Sequence, residues 1–148
     1  LNFSKEREQF GRPIAEFQGL QWMLADMSVQ LEAARALLHK AALSAGHNGS
    51  PFPDPTLAAQ GKIFTSEMAL KVTTDALQVF GARGYSRNYP MERLARDARM
   101  FTIGGGTAQI LRTVVASRIL ESKLPQTRDG YTKLAEMEAV RTDLQAAE

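Results

Sequence analysis

The segment FTIGGGTAQI, residues 101–110, holds three consecutive glycines followed by two polar side chains, Thr107 and Gln109. Without a Cβ, a glycine backbone can approach a ligand closely. A helix starting just beyond the glycines adds free N–H groups and the positive end of its dipole. That combination suits an anionic group or a carbonyl oxygen. It is neither a dinucleotide fingerprint, since no strand pattern precedes it, nor a P-loop, since no lysine follows. A second small-residue stretch, QVFGARGY at 78–85, closes an apolar run, and REQFGRPI at 7–14 sets Gly11 behind Arg7, Gln9 and Phe10. Taken singly, each stretch reads equally as a glycine-capped helix end or a plain connection, and Asp97 between Arg96 and Arg99 as a solvated or pairing charge. His39 and His47 stand outside any cluster and there is no cysteine, so no metal site is expected and thiol chemistry and disulfides are excluded.

Helices must position these residues. Phe17, Leu20, Leu24, Met27, Leu31 and Leu38, with Ala34 between the last two, form one apolar stripe at helical spacing. It predicts a helix from about Pro13 to Ala45, with Pro13 in the first turn, where its missing N–H costs nothing. Trp22 and Met23 are expected to pack in the core of this helix pair rather than line a pocket. GHNGSPFPDP, 46–55, is a break. A second helix follows from about Pro55 to Phe80, burying Phe64, Met68, Val72, Ala76 and Val79, and GARGYSRNYP, 81–90, reads as loop. A short helix covers about Met91 to Phe101. Thr107 then caps another, with Ile110 and Val114 beside Leu111, Val115 and Ile119 on its apolar stripes. The polar joint ESKLPQTRDGY leads to an amphipathic tail helix over roughly 132–147, expected to pack on a neighbour. No segment alternates as a strand would. The expected fold is all-α: an antiparallel four-helix bundle over residues 1–122, then a linker and tail helix over 123–148.

The 148 residues make one ordinary domain, and their apolar and charged content is that of a globular protein. No apolar run nears the roughly 18 residues a membrane span needs. Arginines gather at 83, 87, 93, 96 and 99, but a net charge of +2, without a lysine run or stacking aromatics, argues against nucleic-acid binding. The absence of cysteine fits a reducing compartment. The chain starts at Leu1 inside a helix-forming stretch with no signal peptide, and is expected to be a piece of a larger protein.

In this order and spacing, REQFGRPI with EFQGLQWMLADM, then TDALQVFGARGYSRNYPMERLARDARM, then IGGGTAQILR resemble the C-terminal domain of the acyl-CoA dehydrogenase family over nearly all of residues 5–120. The resemblance implies a three-domain flavoenzyme whose C-terminal helical bundle helps hold FAD at contacts between subunits of a homo-oligomer, a dimer or tetramer. Such enzymes remove the α proton of an acyl-CoA thioester with a base, pass the β hydride to the flavin, and deliver electrons to an electron-transfer flavoprotein. Location in the bacterial cytoplasm or mitochondrial matrix is expected. Carried over by position, Arg7, Gln9 and Phe10 match the segment reaching toward a neighbouring subunit's FAD. Gln78 and Gly81 match a second cofactor segment, where Ala82 replaces a usual glycine. Thr107 and Gln109 match the polar pair that hydrogen-bonds the flavin cofactor.

Many family members carry a glutamate, the α-proton base, at the position of Gly105. Glycine has no proton acceptor, so this segment supplies no base. Gly104 and Gly105 are still expected at the substrate, the Gly105 N–H as a donor to the thioester carbonyl. The leading expectation is a dehydrogenase whose base lies before Leu1, as in relatives that keep their glutamate on an earlier helix; this chain alone would then be inactive. The alternatives are a relative with non-dehydrogenase chemistry, such as elimination of a leaving group from an acyl-CoA, a base recruited elsewhere, or a helical interaction module without cofactor.

Overall fold

The computed structural model of the chain describes residues 1–122 and 128–146. Helix α1 (Asn2–Glu6) leads into two antiparallel two-residue strands, β1 (Glu8–Gln9) and β2 (Arg12–Pro13). A 3-10 turn at Ile14–Glu16 precedes α2 (Gln18–Leu43), and a second at His47–Gly49 precedes α3 (Pro55–Phe80). Then come α4 (Ala82–Tyr85), α5 (Met91–Phe101), α6 (Ala108–Ile119) and α7 (Arg128–Ala146). Helix α3 is the axis of the molecule: α2, α5 and α6 pack around it as the four-helix bundle. The expected linker falls partly on 123–127, and the end of the expected tail helix on 147; these lie outside the described residues. Among the described residues no helix is long and apolar enough to cross a membrane.

Local chemistry fixes the starts of α3 and α6. Asp54 caps α3, its Oδ1 accepting from the Leu57 N–H at 2.8 Å, with Pro55 in the first turn. Thr107 caps α6, its Oγ1 accepting from the Ile110 N–H at 3.1 Å. The start of α2 departs from expectation, since Pro13 ends the hairpin opposite Glu8 and the helix begins only at Gln18. Ile14, buried, donates its N–H to the Arg7 carbonyl at 2.8 Å, so this stretch closes the hairpin instead. Residues 82–85, read as loop, form a helical turn folded back on α3. Gly84 makes that possible, because a Cβ there would lie 2.5 Å from the Leu77 carbonyl oxygen and 2.8 Å from the Phe80 Cβ.

The tightest packing is between small residues. Ala34 and Ala41 of α2, Ala59, Gly61 and Ser66 of α3, Ala98 of α5 and Ala108 of α6 are buried. Of the expected α3 face, Val79 is buried and Phe64, Met68, Val72 and Ala76 are half-buried. Trp22, expected in the core, is 64% exposed. Two residues from Leu20 and two from Leu24, it lies about 200° of helix rotation from each, on the face turned away from α3. The whole chain exposes 10878 Å², against roughly 7,500 Å² for a free-standing monomer of 16.3 kDa. Part of the surplus is α7, whose residues 132–141 are all exposed. The bundle itself also exposes large apolar side chains, including Val29, Leu43, Ile110 and Ile119.

Candidate functional site

The glycine segment forms the connection between α5 and α6, and its backbone bonds divide it into a tied part and an open part. The Gly104 N–H donates to the Met100 carbonyl at 2.8 Å, continuing the last turn of α5. The Ala108 N–H reaches back to the Thr102 carbonyl at 3.0 Å and closes the loop. Between them Gly105 and Gly106 take positive φ, +68° and +89°. Among the described residues, no acceptor meets the N–H of Gly105, Gly106 or Thr107. A Cβ on Gly105 would meet nothing within 4 Å, so the peptide there is open to a ligand.

One side chain from another helix spans this loop. The Lys62 ammonium donates to the Phe101 carbonyl at 2.6 Å and to the Gly106 carbonyl at 2.7 Å, tying the end of α5 to the residue before the α6 cap. Sequence reasoning missed Lys62, which sits on a helix 39 and 44 residues from its two acceptors and carries no motif.

The loop borders a pocket of about 400 Å³ that brings Thr107 and Gln109 together with Arg99, Glu67, Lys71 and Asp75. Both carboxylates are already engaged. Glu67 pairs with Arg112 of α6 at 2.7 Å, and Asp75 with Lys71 one turn away at 2.5 Å. The hydrogen bond from Arg112 holds the Glu67 carboxyl below its usual range and raises the Arg112 guanidinium in return, while the bond to Asp75 raises the Lys71 ammonium. Glu67 is thereby a weaker base than a free glutamate. The pocket mixes apolar walls with two cations and two carboxylates, and holds no unpaired carboxylate beside the open peptide.

The remaining candidates lie at the other end of α3. Gln78 is in its last turn, and Gly81, at φ +60° with open space at its Cβ position, ends it. Sixteen residues of one helix separate Lys62 from Gln78, a span of about 24 Å. Phe3 stacks on Phe80 with centroids 4.0 Å apart, fastening α1, and the hairpin that follows it, to this end. Arg7 is half-buried at the base of the hairpin, and the Gln9 amide donates to the Glu8 carbonyl at 2.7 Å. Phe10 occupies the tip at φ +54°, followed by Gly11 at +78°, and is 94% exposed. Two consecutive positive φ values are the mark of a type I′ hairpin turn, which asparagine and glycine favour; an aromatic there is a strained and outward-facing choice. Thus the chain gathers Gly104, Gly105, Thr107 and Gln109 into one site. It leaves Arg7, Gln9 and Phe10 with Gln78 and Gly81 about a helix length away.

The chain is thus a helical bundle with an open glycine loop toward one end of α3 and an outward aromatic hairpin toward the other. Residues 1–120 match the acyl-CoA dehydrogenase C-terminal domain, and the chain belongs to that family. It is 69% identical over 134 residues to the 3-sulfinopropanoyl-CoA desulfinase of Advenella mimigardefordensis, a match covering 90% of this chain and 32% of the relative. It is 44% identical to a short-chain-specific acyl-CoA dehydrogenase of Clostridium acetobutylicum, across 79% of this chain and 30% of that one. Butyryl-CoA dehydrogenase from Megasphaera elsdenii superposes with a TM-score of 0.74 at 43% identity, over 80% of this chain and 30% of that structure. The chain spans about a third of the length of the curated relatives it matches.

Proposed function

We propose that this bundle is the C-terminal part of an FAD-dependent acyl-CoA enzyme that removes sulfinate from a 3-sulfinoacyl-CoA rather than dehydrogenating an acyl-CoA. One observation carries the reading: the peptide at the family's base position is Gly105, and the two carboxylates of the adjoining pocket, Glu67 and Asp75, are both paired with cations. Similarity to a desulfinase at 69% identity supports placing this chemistry ahead of dehydrogenation, which was the leading expectation from sequence. Water and 3-sulfinopropanoyl-CoA give propanoyl-CoA and hydrogen sulfite: the C–S bond breaks, the carbon gains a hydrogen, and the sulfur gains an oxygen. The reaction is balanced without an external electron acceptor. Dehydrogenation, with its electron-transfer flavoprotein partner and a base outside this chain, is the second reading, favoured by the dehydrogenases of 43–44% identity.

In either case the chain's own residues fit the cofactor and the thioester. Phe10 offers an exposed ring for stacking and Arg7 a guanidinium for a pyrophosphate, with Gln9 beside them. Gly81 leaves room for close backbone approach, next to the Gln78 amide. Thr107 and Gln109 present polar groups beside the open Gly105 N–H, which meets the thioester oxygen, with Gly104 setting its direction. When bound, FAD supplies a hydride acceptor, which dehydrogenation uses and desulfination does not consume. Because the two sets of residues stand far apart on one chain, each FAD takes the hairpin from one copy and the loop from another. The large exposed apolar surface fits the same homo-oligomer. The bundle, residues 1–122, carries these roles in a bacterial cytoplasmic enzyme, and 123–148 form a linker and tail.

The test uses the full-length protein with its flavin, kept anaerobic. With 3-sulfinopropanoyl-CoA, sulfite and propanoyl-CoA are expected in equal amounts, and saturated acyl-CoAs leave the oxidised-flavin absorption intact. Bleaching by a saturated acyl-CoA without sulfite release overturns the reading in favour of dehydrogenation. A protein that holds no flavin removes the cofactor assignments.

A further inference from the structure

The two ends of the glycine loop are held by a single cation. Lys62 of α3 donates to the carbonyl of Phe101, the last residue of α5, and to that of Gly106, just before the α6 cap. Among the described residues no carboxylate pairs with it, so its charge is spent on backbone oxygens. A trans peptide points its C=O and N–H in opposite directions. Drawing the Gly106 carbonyl toward α3 therefore turns the Thr107 N–H away from α3. The intervening peptides span Gly105 and Gly106, both at positive φ and open to many conformations without such a tie. An ammonium hydrogen-bonded to a carbonyl also polarises that peptide unit and strengthens its N–H as a donor.

We infer that Lys62 is the positioning residue of this site, a clamp that fixes the Gly106–Thr107 peptide directly and, by holding both ends of the loop, keeps the neighbouring Gly105 N–H aimed at the carbonyl oxygen of the thioester. This rests on the proposed role of the Gly105 N–H at that oxygen. Lys62 touches neither substrate nor cofactor; it acts through the loop. The clamp serves dehydrogenation and desulfination alike, since both develop charge on the thioester oxygen when the acyl carbons are polarised.

The full-length, flavin-loaded protein is compared with its Lys62→Met and Lys62→Arg variants, using propanoyl-CoA labelled with carbon-13 at the thioester carbonyl. The bound carbonyl stretch is read by difference infrared spectroscopy, beside turnover, flavin content and thermal midpoint. In the wild type the band lies below that of free propanoyl-CoA. In Lys62→Met it returns most of the way to the free value and kcat falls about tenfold, with KM and flavin content little changed. Lys62→Arg, with a fork that reaches both carbonyls, recovers part of both. A shifted band retained in Lys62→Met overturns the clamp while leaving the Gly105 donor in place. A wild-type band at the free position removes the donor itself, and the clamp with it. If Lys62→Met loses flavin or does not fold, Lys62→Arg decides: a folded, flavin-loaded arginine variant with an unshifted band overturns the inference.

Discussion

Two glycine-to-alanine substitutions in neighbouring stretches should move stability in opposite directions, and the structure says by how much. At Gly84 a new Cβ falls 2.5 Å from the Leu77 carbonyl oxygen and 2.8 Å from the Phe80 Cβ, inside distances that real Cβ atoms keep. Neither neighbour is the end of a flexible chain: one is backbone of α3, and the other is the root of a ring stacked on Phe3 and held edge-on by Tyr89. The turn formed by α4 must therefore lift off α3. Overpacking of this kind costs about 1–3 kcal/mol, and the upper part of the range applies because the clash is with backbone. At Gly61, in the second turn of α3, an alanine Cβ would lie 3.7 Å from Leu38 Cδ2 and 3.9 Å from Ala41 Cβ, in ordinary contact. There alanine gains the helix propensity glycine lacks, about 0.8–1 kcal/mol, with no clash against it. Thermal unfolding of the full-length protein, followed by circular dichroism and by flavin release, should show Gly84→Ala melting several degrees below wild type and Gly61→Ala slightly above it. Equal midpoints for the two variants would refute the close approach of α4 to α3.

Removing the α3 cap by Asp54→Ala should cost about 1 kcal/mol, and Asp54→Asn should restore it, both read from chemical denaturation. The Glu67–Arg112 pair ties α3 to α6 with a carboxyl pKa held below the unfolded value. Its contribution is thus present above the ordinary carboxylate range and lost as pH falls through the depressed value. Both partners are about half exposed, so solvent screening keeps the contribution small, and the stability gap between wild type and Glu67→Gln should close on acidification. Gly105→Ala meets no atom, yet its φ of +68° should make it destabilising by about 1–2 kcal/mol, measurable by thermal shift. Phe10→Asn keeps a residue that tolerates the turn and should leave the melting of the apoprotein near wild type while weakening FAD retention in equilibrium dialysis; unchanged retention removes the hairpin from the cofactor site.

How much of this was legible in the sequence follows the range of the forces involved. Pro55 at the start of α3, Thr107 ahead of α6 and the apolar periods of α2, α3 and α6 are signals contained within a few residues, and they placed these two helix starts and the bundle. The motif order placed the family, and Gly105 at once raised the question of the missing base. Other features depended on contacts between distant segments. Pro13 favours the first turn of a helix as readily as the edge of a hairpin, and the choice was made by burial of Ile14 and its bond to Arg7. An apolar stripe says which face of a helix avoids water but not what covers it, so Trp22 stands exposed while alanines fill the α2–α3 contact. Lys62 looks like any helix lysine until the fold carries the Phe101 and Gly106 carbonyls to its ammonium. Sequence alone determined the four long helices of the bundle and the chemistry the glycine loop lacks, because capping and periodicity act locally. Only the tertiary structure decided which side chains meet, because close approach of distant backbone is a property of the packed chain.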